Sequence, residues 1–114
     1  MAWTTFTIDK YEVYSVTAQT EGYPGVAGFI RLHWENRQRA TLWFYRDSVT
    51  TLPANLSFSS GGITNYYGRF GQGQFAHCVD MLRNEKPVSF HWNEATKGAF
   101  LATGPEPVGE SELP

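Results

Sequence analysis

The run Val26-Ala27-Gly28-Phe29-Ile30-Arg31-Leu32-His33-Trp34-Glu35-Asn36-Arg37-Gln38-Arg39-Ala40-Thr41-Leu42-Trp43-Phe44-Tyr45-Arg46 decides the fold. Within 26–35, Ile30, Leu32 and Trp34 point one way, and Arg31, His33 and Glu35 the other. That is the period of a half-buried strand. The short polar stretch Asn36-Arg37-Gln38 suits a hairpin loop. Residues 39–46 return as the partner strand, with Ala40, Leu42 and Phe44 on one face and Thr41, Trp43 and Tyr45 on the other. Neither face of this return strand is purely polar, so cover is expected on both.

Upstream, residues 2–8 alternate loosely, and Asp9-Lys10 breaks the run. Residues 11–20 are rich in Tyr, Val and Thr, which favour strands. Glu21-Gly22-Tyr23-Pro24-Gly25 reads as a turn. Downstream, residues 47–57 form a connection, with a short edge strand near Leu56–Phe58. The stretch 59–73 holds five glycines among Tyr66, Tyr67, Phe70 and Arg69. Its composition reads as a mobile loop over 61–73.

One helix follows, over 74–85. Phe75, Cys78, Val79 and Leu82 fall at i, i+3, i+4 and i+7, a single apolar stripe. Lys86 suits the negative end of the helix dipole, and Pro87 stops the helix. Strands over 88–93 and 99–103 make a closing hairpin around the turn 94–98. These elements predict an α+β domain over residues 1–104. It has a curved, mostly antiparallel sheet of about five to seven strands. The helix packs on one face of that sheet or plugs an open barrel. Residues 105–114 hold three prolines and three glutamates with no basic residue, and read as a disordered acidic tail.

Composition narrows function by exclusion. Aromatics reach 16% of the 114 residues while charged residues reach only 18%, the reverse of a disordered chain. No run approaches the 18 apolar residues of a membrane helix, so no membrane partner is expected. One cysteine rules out a disulfide framework within the chain and fits a reducing compartment. The first residues lack the basic and long apolar regions of a secretory signal, so a cytoplasmic protein is expected.

No catalytic constellation stands out. His33, His77 and His91 lie on the polar faces of their elements, at no recognised metal spacing. Cys78 sits on the apolar stripe, where a thiol behaves as a small hydrophobe. Gly68, Gly71 and Gly73 precede a helix but match neither a phosphate loop nor a dinucleotide fingerprint. No metal or other cofactor is expected, and binding is favoured over catalysis.

Candidate binding residues are Arg31, Arg37, Arg39, Trp43, Tyr45 and Arg46 on the hairpin, with Tyr66, Tyr67, Arg69 and Phe70 beyond it. The hairpin carries four arginines against Glu35 alone. Arginines interleaved with aromatic rings are what single-stranded nucleic-acid binders use. Against this, the overall net charge is −2. The plain alternative is solvated arginines around a second packed layer of rings. The leading expectation is a small interaction module for a protein partner or a second copy of the chain. Single-stranded nucleic acid is the alternative ligand. A small-ligand carrier or enzyme with a pocket under 61–73 is the third reading.

Overall fold

The computed structural model describes residues 3–17 and 22–104. The tail 105–114 lies outside them. The decisive hairpin forms as β3 (Val26–Trp34) and β4 (Arg37–Tyr45). Its turn is Glu35-Asn36, one residue earlier than the polar stretch suggested. Both residues have positive φ, 55° and 62°, as a two-residue hairpin turn of matching twist requires. Asn tolerates that region, but Glu does not favour it. Glu35 is held there from both sides. Its N–H donates to Asp9 Oδ2 at 2.9 Å, and its carboxylate accepts from Arg39 Nη2 at 2.8 Å.

Two further strands precede the hairpin: β1 (Trp3–Thr7) and β2 (Lys10–Ser15). Between them the chain changes sheets. The N–H of Ile8 donates to Val88 O, while that of Asp9 donates to His33 O. After the hairpin come β5 (Leu56–Ser60) and β6 (Ile63–Gly71), then a 3-10 turn (Gln72–Gln74), α1 (Phe75–Asn84), β7 (Val88–Asn93) and β8 (Gly98–Thr103).

The strands form two sheets rather than one. A five-stranded sheet has the order β2-β3-β4-β6-β5, and a three-stranded sheet has β1-β7-β8. All pairings are antiparallel except β4 with β6. The sheets do not close into a barrel. The architecture is α+β and mostly antiparallel, as the sequence predicts, with eight strands among the described residues where five to seven were expected.

The expected mobile loop over 61–73 is the main local difference. Gly61 and Gly62 form a turn, with φ of 59° and 79°, and Gln72 and Gly73 belong to the 3-10 turn. Residues 63–71 are a strand in the interior of the five-stranded sheet. Ladder hydrogen bonds to β4 and β5 outweigh the entropic cost of its glycines.

The core lies between the inner face of the five-stranded sheet and a cover of α1 and β7. Ile30, Leu32, Trp34, Ala40, Leu42 and Phe44 meet Cys78, Leu82, Val88, Phe90 and Trp92. Ile30, Leu32, Leu42, Phe44 and Phe90 are completely buried. Each such side chain contributes about 1.5–3 kcal/mol of transfer free energy. The helix stripe works as read: Cys78 and Leu82 are buried, with Phe75 and Val79 packed at the margin. Burial pushes the Cys78 thiol up from its ordinary pKa. Among the described residues, no helix is long and apolar enough to cross a membrane.

Phe75 anchors the start of α1. Its ring lies 4.9 Å from that of Phe44 and occupies the space over Gly28. A Cβ on Gly28 would stand 2.6 Å from Phe75 Cζ and 2.7 Å from the backbone oxygen of Tyr14. The second contact is with backbone and cannot be relieved by a rotamer change. Gly28→Ala is therefore expected to cost about 1–3 kcal/mol, as overpacking does. It should lower the urea midpoint at unchanged slope. Gly71→Ala, with nothing within 4 Å of the added carbon, should not lower it.

Candidate binding face

Strand alternation gives the five-stranded sheet a second, outward face. Register places Tyr14 beside Phe29, Phe29 beside Trp43, and Trp43 beside Arg69. Leu56 pairs with Tyr67, and Phe58 with Asn65. One aromatic ring from each strand joins a continuous row. Tyr14 stacks on Phe29 at 4.6 Å between centroids, and Phe29 meets Trp43 at 4.9 Å. Trp43 meets Tyr67 edge-on at 5.7 Å, and Tyr67 meets Phe58 edge-on at 5.2 Å. Tyr23, from the β2–β3 connection, stacks over Phe29 at 5.5 Å and reaches Trp43.

The row is graded in exposure. Phe29 and Tyr45 are buried, forming a small second core with Val26. Tyr14, Tyr23, Trp43 and Tyr67 are half-buried, and Phe58 is 41% exposed. The solvent-facing end is therefore Tyr67–Phe58. A hollow of about 220 Å³ opens beside Trp43 and Tyr23, its walls including Pro24, Tyr45, Pro53 and Arg69. The Trp43 indole N–H has no hydrogen-bond partner among the described residues.

Two guanidinium groups, those of Arg31 and Arg69, lie on this face, each held by bonds of its own. Arg31 sits 4.8 Å from the Tyr14 centroid and 5.4 Å from that of Phe29, within cation–π range. It also donates to the Tyr14 hydroxyl at 3.3 Å. Arg46 donates to Val16 O at 2.7 Å, tying β4 to the end of β2. Arg69 donates to the Tyr45 hydroxyl at 3.0 Å and lies 5.2 Å from the Tyr67 centroid. Asn55 orients the Arg69 backbone by accepting its N–H at 2.7 Å.

The structure thus divides the ten residues singled out by sequence. Arg31, Trp43, Tyr45, Tyr67 and Arg69 come together on the outer face, while Arg46, just past β4, bonds the end of β2. Arg37 is exposed at the hairpin tip, next to the turn. Arg39 is set apart by a β-bulge: Leu32 pairs with Ala40 and His33 with Gln38, leaving Arg39 unmatched. Tyr66 and Phe70 point inward. Tyr66 packs among Phe6, Trp34, Phe90 and Trp92, and Phe70 stacks on Phe44. Burial raises the Tyr66 pKa, and the nearby Arg39 charge partly opposes that shift.

Tyr14, Tyr23, Phe29 and Phe58 belong to the face but were not singled out. Extending the Arg31–His33 alternation back two residues reaches Phe29. Tyr23 and Phe58 carry no comparable local signal.

The histidines are dispersed. His33 pairs with Glu12 at 2.8 Å, and His91 bonds the Thr5 hydroxyl at 3.0 Å. His77 is exposed on α1. Among the described residues, no group of three or more His, Cys, Asp or Glu could hold a metal ion. No family model, curated protein or solved structure matches the chain.

At the margin of the face, Glu12 accepts from the Tyr14 hydroxyl and bonds His33. The hydrogen bond to His33, then that to Tyr14, holds its pKa below the ordinary 4.5. A depressed folded value means that the stabilisation is present above 4.5 and disappears as pH falls through the folded value. A carboxyl-detected NMR titration should find Glu12 titrating below 4.5. His33→Asn should move it back upward.

Proposed function

We propose that the protein is a binding module rather than a catalyst, and that its outer aromatic face takes single-stranded nucleic acid. One observation carries this reading: a row of rings, one from each of five strands, with Arg31 and Arg69 set among them. Unpaired bases offer flat π-faces to aromatic side chains, each stack contributing about 1–3 kcal/mol, while the phosphates attract guanidinium groups. Tyr67 and Phe58 offer the accessible stacking surface. The hollow beside Trp43 and Tyr23 suits one inserted base. Arg69 stands between the two. The single buried cysteine supports a reducing, cytoplasmic setting for this activity.

A labelled single-stranded oligonucleotide, titrated at two or more salt concentrations, tests the proposal. Two phosphate contacts on a single strand correspond to a slope of log K against log salt of about −1.4. Arg69→Gln should make that slope shallower by about 0.7. Tyr67→Ala should weaken binding about 5- to 150-fold, the equivalent of one lost stack. Absence of binding at low salt would eliminate the nucleic-acid reading.

A protein partner is the second reading. It is favoured by Leu52, Leu56 and Phe58, large apolar side chains 37–41% exposed on or near edge strand β5. A concentration series in the ultracentrifuge addresses the homodimer form of it. Reversible dimerisation abolished by Phe58→Asp would favour this reading over the first.

A further inference from the structure

Strand alternation sends Trp43 and Tyr45 of β4 to the same side of the sheet, and both line the hollow of about 220 Å³. Each carries a hydrogen-bond donor that the described residues leave unused. The Trp43 indole N–H is shut off from solvent and has no partner among them. Tyr45 is 6% exposed. Its hydroxyl oxygen accepts from Arg69 Nη1 at 3.0 Å, and its own proton goes to no acceptor among the described residues. A hydroxyl has one proton to donate, so that proton is what Tyr45 holds ready for a ligand.

The rest of the lining supplies no counterpart. Gly22, Tyr23, Pro24, Val26, Pro53 and Arg69 complete it, with no carboxylate, side-chain amide or imidazole among the described residues. Apart from the two tyrosine oxygens, one of them already bonded to Arg69, the side chains around the hollow present donors and apolar surface. A group that enters must bring acceptors.

A base of a single strand enters such a hollow by its far edge, because its sugar and phosphates stay outside with the chain. At that edge thymine and uracil carry the O4 acceptor, and guanine carries O6 and N7. Cytosine carries an N4 amino donor there, and adenine an N6 amino donor beside N7.

Resting on the nucleic-acid reading of this face, we propose that the hollow selects keto bases (thymine, uracil, guanine) over amino bases (cytosine, adenine). Trp43 and Tyr45 are the specificity-determining residues. A keto oxygen takes up their unused protons. An amino group instead meets donors like itself, and loses its bonds to water without replacement. Stacking on the row of rings is tolerant of sequence, so it does not supply this preference. Arg69 stands outside the selection, since phosphate is common to all four nucleotides. Tyr23 and Pro24 are the walls that give way for a base to reach the Trp43 N–H, because they belong to the β2–β3 connection and not to a strand.

Fluorescence anisotropy with labelled oligo-deoxyuridine and oligo-deoxycytidine of equal length tests this, at low salt and mildly alkaline pH. The two probes share phosphates, sugars and ring size, and differ in the group at position 4 and the protonation of N3. The deoxyuridine strand should bind about 5- to 150-fold more tightly, the equivalent of one buried polar group left unsatisfied. Trp43→Phe keeps a ring and removes the N–H, and Tyr45→Phe removes the hydroxyl. A smaller ratio of the two affinities in either variant, with its fold verified by circular dichroism, supports the proposal. An undiminished ratio in both would overturn it, because the discrimination would then arise elsewhere. Equal affinities in the wild-type protein, or a tighter deoxycytidine strand, would overturn the selection and leave the nucleic-acid reading standing. Binding of neither probe would overturn both.

Discussion

Strand β4 is apolar on both faces, and most other elements keep water from one face or the other. Leu42 and Phe44 point inward, Trp43 and Tyr45 outward. A strand of this kind must lie in the interior of a sheet with cover on each side. Its neighbours β3 and β6 provide the ladder. Helix α1 and strand β7 provide the inner cover. The outer cover is made differently. No helix or sheet lies there among the described residues. Instead the rings of Tyr14, Phe29, Tyr23 and Tyr67 pack laterally on Trp43.

This second solution explains the aromatic surplus. Rings on neighbouring strands are close enough to shield one another, and tilted or stacked pairs add about 0.5–1.5 kcal/mol beyond area burial. Arginine is the matching cation for such a layer. Its weakly hydrated plane covers a ring face while its N–H groups hydrogen-bond to neighbouring groups. Arg31 and Arg69 both do this, and each ties two strands together through a tyrosine hydroxyl. The arginines read from sequence as a basic patch are therefore also part of the packing.

How far the sequence reveals this depends on the range of the determining interactions. Helix α1 was legible nearly to the residue because its stripe and stop signal are local. Strand β7 was legible because Val88, Phe90 and Trp92 alternate cleanly. The segment 63–71 was not, because its glycines suggested a loop while its strand state depends on ladders to β4 and β5. The parallel pairing of β4 with β6 joins residues 26 positions apart, Ala40 with Tyr66 among them. No local pattern encodes that register. The bulge at Arg39 likewise depends on the fit between β3 and β4, and it alone separates Arg39 from the outer face. The division of aromatics followed the same rule. Trp43 and Tyr45 were placed by alternation, while the inward direction of Tyr66 and Phe70 depends on the unforeseen strand.

The outer layer also bears on how a ligand could be received. Rings locked against one another lose little further freedom on binding, so the entropic cost of ordering side chains at an interface is small here. The same locking limits what can be offered. Phe29 and Tyr45 are already buried, and their faces are used by neighbours. At the open end of the row Phe58 is exposed, and Tyr67 is met at steep angles by Trp43 and Phe58. Arg69 lies where packing passes into accessibility, bonded inward to Tyr45 and set over Tyr67.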